Sequence, residues 1–123
     1  MRREEFEAHL FRYRATVRYV IDGDTVALVL DLGDSAYRRR NVRLLDVNAP
    51  EVVGVTKAAG PEAKAFLERL LLPGLAVYVK THRDRTTFER LLGEVFAEVE
   101  PGELRNVGDA LVEAGHATWP ERR

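Results

Sequence analysis

The chain contains no cysteine. Disulfide bridges, thiolate metal sites and a cysteine nucleophile are thereby excluded. It also lacks an excess of charge of either sign. Nineteen Lys and Arg stand against twenty Asp and Glu, a net charge of −1, so bulk positive charge cannot be what attracts a nucleic acid. No apolar run approaches membrane-spanning length, because charges interrupt each one. The opening Met1-Arg2-Arg3-Glu4-Glu5-Phe6 is basic and then acidic, and the apolar core of a signal peptide does not come after it. A soluble protein is expected, intracellular or carried by a virus, with no membrane partner. There is no internal repeat, low-complexity tract or linker. His9, His82 and His116 are far apart and lack metal-ligand spacing, which points to surface or capping roles.

What is present suits one domain. The chain has 123 residues, 46% of them hydrophobic and 32% charged, enough to bury a core without staples. We expect a single domain over 1–123, with a core over 13–118 and an extension over 1–12. Phe6 and Leu10 share a face if 3–12 is a short helix. Residues 13–21 alternate and are rich in β-formers. Asp22-Gly23-Asp24 signals a turn, and Val26, Leu28 and Leu30 alternate through a second strand from Thr25 to Asp31. A loop at 32–35 precedes a third strand from Tyr37 to Val47, ended by Pro50. After a Val/Gly/Ala-rich loop to Gly60, Pro61 opens a helix with Ala63, Phe66, Leu67, Leu70 and Leu71 on one side. Strands come next at 75–81 and 91–99, then a turn at Pro101-Gly102 and a helix over 106–114, capped by Asn106 and stopped by Gly115. The order β-β-β-α-β-β-α predicts an α+β fold, a small five-stranded barrel of the OB kind with two main helices.

Charge is unevenly spread within this neutral chain. Arg38, Arg39, Arg40 and Arg43 form one basic cluster. Lys80, Arg83, Arg85 and Arg90 form another, and the acids gather late. The clusters fit either a local basic groove or ordinary solvated strand faces. Tyr37 and Trp119 are expected to pack.

Hydrolysis of a phosphodiester needs a charge that polarises the phosphoryl group, donors for its equatorial oxygens, and a base that activates water. Two segments offer such groups. Val20-Ile21-Asp22-Gly23-Asp24-Thr25-Val26 sets two carboxylates around a glycine turn. Val42-Arg43-Leu44-Leu45-Asp46-Val47-Asn48-Ala49-Pro50-Glu51 sets an arginine, polar oxygens and a glutamate along a strand and its end. Each is weak alone; together and in this order the two are specific.

In these segments the chain resembles the staphylococcal nuclease (thermonuclease) family. The likeness runs from about Tyr13 to Thr118, through the helix with Glu62, Ala63 and Phe66, Val77 to Asp84, Phe88-Glu89-Arg90 and Asn106-Val107. It implies a five-stranded OB barrel and a calcium-dependent nuclease, here expected to act as a monomer on single-stranded or frayed DNA or RNA. By position, Asp24 matches a calcium-binding aspartate and Asp22 a nearby supporting acid. Ala49 matches the residue whose backbone carbonyl ligates the metal. Arg43 matches the arginine that grips the scissile phosphate, Glu51 the glutamate proposed as general base, and Arg90 the second phosphate arginine. Phe88 stands where the family has an aromatic near the ligand, and Lys57 is a candidate phosphate contact.

The resemblance breaks at Asn48, which stands where the family has its second calcium-binding aspartate. An amide oxygen ligates calcium without charge, so weaker metal affinity is expected on an undisturbed fold. Four readings are open: a slow, weakly metal-binding nuclease; an OB module for nucleic acid or protein that has lost catalysis; compensation by Asp46, two positions back and about 6.6 Å away along a regular strand; or an inactivating change made by design. Glu89 replaces a glycine beside Arg90, the 84–88 segment is longer than the family's turn, and no counterpart of the family's third helix is expected.

Overall fold

A computed structural model describes residues 1–45, 59–83 and 90–118. After a short helix α1 (Arg3–Glu7) come strands β1 (Arg12–Asp22), β2 (Thr25–Gly33) and β3 (Ala36–Leu44). Helix α2 (Ala59–Leu70), strands β4 (Ala76–His82), β5 (Arg90–Glu100) and β6 (Glu103–Asn106), and helix α3 (Val107–Glu113) complete the order. The strands lie in the sequence β3-β2-β1-β4-β5-β6, and a further pairing of β3 with β5 closes the first five into a barrel. That closing pair is parallel; the other pairings are antiparallel. A closed barrel leaves no bare edge among these five strands, and β6 extends β5. This is the mixed five-stranded OB barrel that the sequence predicts, with one strand more.

Period-two alternation builds the interior. Ala15 and Val17 of β1, Val26, Leu28 and Leu30 of β2, Val42 and Leu44 of β3, Val77 and Val79 of β4 and Val95 of β5 point inward and are buried. Helix α2 packs on β1 and on α3, and α3 on β5 and β6. The helices bring Leu67, Val107 and Leu111 to the same core, joined by Leu71 just beyond α2. Gly93 sits where β3, β4 and β5 converge, opposite Leu44 and Thr81. A Cβ there would stand 2.6 Å from Val42 Cγ1 and 3.1 Å from Val79 Cγ2. Only glycine lets the closing strand come this near, the usual meaning of glycine inside a strand.

Local signals place the helix ends. The Asn106 side chain accepts hydrogen bonds from the backbone N–H groups of Gly108 and Asp109, filling two of the orphan donors of α3. At the other end Gly115 takes φ 80°. Its N–H donates to Val112 O, and that of His116 to Leu111 O, the paired bonds of a Schellman stop. The His116 ring then lies 4.7 Å from that of Phe66, tying the end of α3 to α2. Asn106→Ala should therefore lower stability by about 1 kcal/mol. The expected sign is a lower denaturant midpoint at an unchanged slope.

Several boundaries differ from expectation. The N-terminal helix ends at Glu7 with no buried residue, and Phe6 remains 61% exposed; too few apolar contacts reward a longer helix. β3 ends at Leu44, with the rest of the expected strand beyond Leu45 outside the described residues. Helix α2 starts at Ala59, so Pro61 is its third residue, still within the first turn, where N–H groups lack helical partners anyway. Tyr37 is exposed rather than packed, because it sits beside the Asp34-Ser35 turn at the tip of the β2–β3 hairpin. β6 went unforeseen: Glu103-Leu104-Arg105-Asn106 has no apolar alternation, and its pairing with β5 creates it.

Candidate functional site

The site begins at the hairpin between β1 and β2. Asp22 and Thr25 are cross-strand partners, and the register of β1 against β2 slips between Val20 and Asp22. Such a bulge bends a strand and re-aims the residues beyond it, here the Asp22-Gly23-Asp24 turn. β3 then runs alongside β2 with Arg43 opposite Thr25. The backbone N–H of Leu44 donates to the carbonyl of Asp24 at 2.7 Å, so the turn is clasped to the end of β3.

This clasp brings Asp24 and Arg43 together. Arg43 Nη2 lies 3.7 Å from Asp24 Oδ2, an ion pair with side chains 25% and 19% exposed. The other carboxylate oxygen, Oδ1, accepts a hydrogen bond from Thr25 Oγ1 at 2.9 Å. Thr25 is buried and fixes the rotamer of Asp24. Its own side chain was part of the sequence motif but carried no predicted role. The signal for it was a β-branched hydroxyl residue directly after the acid at a strand start. Arg43 reaches past the ordinary hydrogen-bond range to Oδ2, so that oxygen feels a cation without being saturated by a short bond. Partial burial strengthens each of these electrostatic contacts relative to water.

The rim continues onto β5. Arg43 is opposite Leu92, and Arg90 is opposite Asn41. Arg43 and Arg90 thus stand at same-face positions of neighbouring parallel strands, with Cα atoms roughly 8 Å apart from strand spacing and rise. Leu45 N donates to Gly93 O at 2.9 Å, so the chain leaves β3 still held against β5. Asp22 is half-buried at the end of β1. Asn48, Ala49, Glu51, Lys57 and Phe88, like Asp46 and Trp119, lie outside the described residues.

Farther along β3, Arg38 and Arg39 are exposed and Arg40 is half-buried opposite Leu28. Burial, and then the neighbouring charge of Arg38, lowers the Arg40 pKa from its ordinary value. No group of three or more His, Asp or Glu residues gathers for a metal among the described residues. The donors at hand are oxygens, which suit a hard cation such as calcium. Also among the described residues, no helix is long and apolar enough to cross a membrane.

An OB barrel with an aspartate and an arginine paired at its rim, next to a second arginine position, belongs to the class of nuclease-type or nucleic-acid-binding domains. The family described as staphylococcal nuclease homologue matches residues 41–123, about two thirds of the chain. The chain belongs to that family, whose members are generally calcium-dependent. The matched span includes Arg43 and Arg90 but not Asp22 or Asp24; the β2–β3 register and the Leu44–Asp24 clasp set Asp24 beside Arg43. No curated protein matches the chain.

Proposed function

We propose that the chain is a calcium-dependent phosphodiesterase of single-stranded or frayed DNA or RNA, acting as a monomer whose folded core spans 13–118. The observation that carries this reading is the half-buried Asp24–Arg43 pair, clasped by Leu44 and Thr25 at the barrel rim. Arginine offers a planar fork to a phosphate and stays charged at any relevant pH. Arg43 would bind the scissile phosphate and stabilise the charge that grows on its equatorial oxygens, with Arg90 as the second donor. Glu51 would orient and deprotonate the attacking water. Asp24, Asn48 and the Ala49 carbonyl would hold the calcium ion, with Asp22 adding negative charge nearby. Bound calcium supplies Lewis-acid polarisation of the phosphoryl oxygen. Phe88 would stack on a base and Lys57 would meet a neighbouring phosphate.

Asn48 supports a second reading, a nucleic-acid-binding module without turnover. Asn48→Asp separates the two. With a fluorescent single-stranded DNA, the wild-type chain should cut at high calcium. Asn48→Asp should reach half-maximal rate at roughly tenfold lower calcium, about 1.4 kcal/mol of added attraction between a carboxylate and the ion. Cleavage by Asn48→Asp alone would mark a scaffold silenced at one side chain. If neither form cuts at any calcium concentration, the binding module replaces the enzyme.

A further inference from the structure

The outward side of β1, β4, β5 and β6 holds a groove of about 760 Å³ that no role above uses. Since Ala15, Val77, Val79 and Val95 of these strands point into the core, alternation turns Arg12, Arg14, Tyr78, Lys80 and Phe96 outward. The register sorts them into two rows. Arg14, Tyr78 and Phe96 lie side by side across β1, β4 and β5; Arg12, Lys80 and Glu94 form the adjacent row. Leu104 of β6 borders the aromatic row.

A solvated sheet face would carry polar residues of mixed sign. Here two aromatic residues paired across β4 and β5, Tyr78 being 41% exposed, are flanked by three cations and one carboxylate. The carboxylate, Glu94, is engaged by His82 Nε2 at 3.2 Å. Arg12, Arg14 and Lys80 form no ion pair among the described residues. The groove also leads to the rim. Lys80 is two positions from His82 on β4; His82 is opposite Leu92, and Leu92 is opposite Arg43. Strand spacing and rise put the Lys80 and Arg43 Cα atoms roughly 12 Å apart over this outward surface.

We propose that the groove binds single-stranded nucleic acid as a continuation of the Arg43 rim. Phosphates pair with Arg12, Arg14 and Lys80 while bases stack on Tyr78 and Phe96. Cations beside aromatic rings are the general means of holding a single strand without reading its sequence, and charge complementarity selects a polyanion over a neutral partner. The inference rests on the nucleic-acid reading of the rim and adds to it a preference for longer strands, which reach both surfaces.

The test is fluorescence anisotropy with labelled oligo(dT) of about four and about sixteen nucleotides, the span of site sizes for one OB fold, in chelator so that nothing is cut. The wild-type chain should bind the long strand at least tenfold more tightly than the short one. Arg14→Glu with Lys80→Glu should remove most of that advantage and lower the slope of log Kd against log salt by about 1.4, two lost contacts at 0.7 each. Tyr78→Ala should weaken long-strand binding about tenfold. These side chains face outward, and unchanged circular dichroism and melting would confirm intact folds. If the groove variants bind the long strand like wild type while Arg43→Ala weakens it, the groove proposal falls and the rim reading survives. If the wild-type chain binds neither strand, the groove proposal falls, while the calcium-dependent rim stands or falls by the cleavage assay. Loss on charge reversal but not on Tyr78→Ala, or equal competition by poly-glutamate, reduces the groove to a general anion patch and overturns the proposal.

Discussion

Arg43→Ala should lower kcat/KM for single-stranded DNA by about 10³-fold while shifting the unfolding midpoint only modestly. The two effects separate because they draw on different states. Among the described residues Arg43 pairs in the folded protein with Asp24 at 3.7 Å, and losing such a partly buried pair costs about 1–2 kcal/mol. In the reaction it would meet a phosphoryl group whose negative charge grows, at a half-buried rim where water screens poorly. Removing a single donor there costs a factor of about 10² to 10³, and arginines at transferring phosphates lie toward the upper end of that range and beyond. Arg43→Lys should recover only part of the loss, since an ammonium keeps the charge without the fork.

The same variant has a distinguishing effect on metal. A guanidinium 3.7 Å from Asp24 Oδ2 opposes the approach of a second cation. Its removal should leave calcium affinity unchanged or raise it, read by calorimetric calcium titration. Loss of activity together with held or tighter calcium binding assigns Arg43 to the phosphate. Loss of both assigns it to the integrity of the metal site. A variant that keeps more than a tenth of wild-type activity removes Arg43 from the chemistry.

Gly93→Ala is expected to be damaging for the gain of a single methyl, lowering stability by about 1–3 kcal/mol, or roughly 4–12 °C in Tm for a chain of this size. Alanine is ordinarily mild, and glycine in a strand is ordinarily a weakness. Here the new methyl would lie 2.6 Å from Val42 Cγ1 and 3.1 Å from Val79 Cγ2. Val42 and Val79 are fully buried β-branched side chains with no flexible end to swing away. The strain must pass to the β3–β5 pairing, which closes the barrel and bears the rim. Val42→Ala alone should also destabilise, by opening a cavity. Combined with Gly93→Ala it should cost less than the sum, because the alanine methyl fills the space that the valine vacates. Strict additivity would mean that the two side chains do not meet.

Much of the fold was legible because it depends on short-range rules. Val26, Leu28 and Leu30 alternate, so β2 could be read. Asn106 and Gly115 cap and stop a helix with their own side chain and their own φ, so α3 could be read nearly to its ends. β6 could not, since Glu103-Leu104-Arg105-Asn106 has no pattern of its own and forms only by adding to β5. Gly93 gave no signal either; its necessity lies in contacts with Val42 and Val79, far away in the chain.

The candidate site divides in the same way. The residues by themselves determined which groups were at hand: two carboxylates around a turn, an arginine that stays charged, an asparagine in place of an acid, and the resemblance that gives them roles. Tertiary structure alone decided which of them meet. Asp24 and Arg43 are nineteen positions apart, and their 3.7 Å approach results from the β2–β3 register, the Leu44–Asp24 clasp and the bulge before Asp22. Arg14, Tyr78 and Phe96 form a row only because three strands distant in sequence align at one level. Side-chain chemistry is fixed residue by residue, whereas proximity is a property of the closed barrel, set by long-range pairing that no local stretch of sequence encodes.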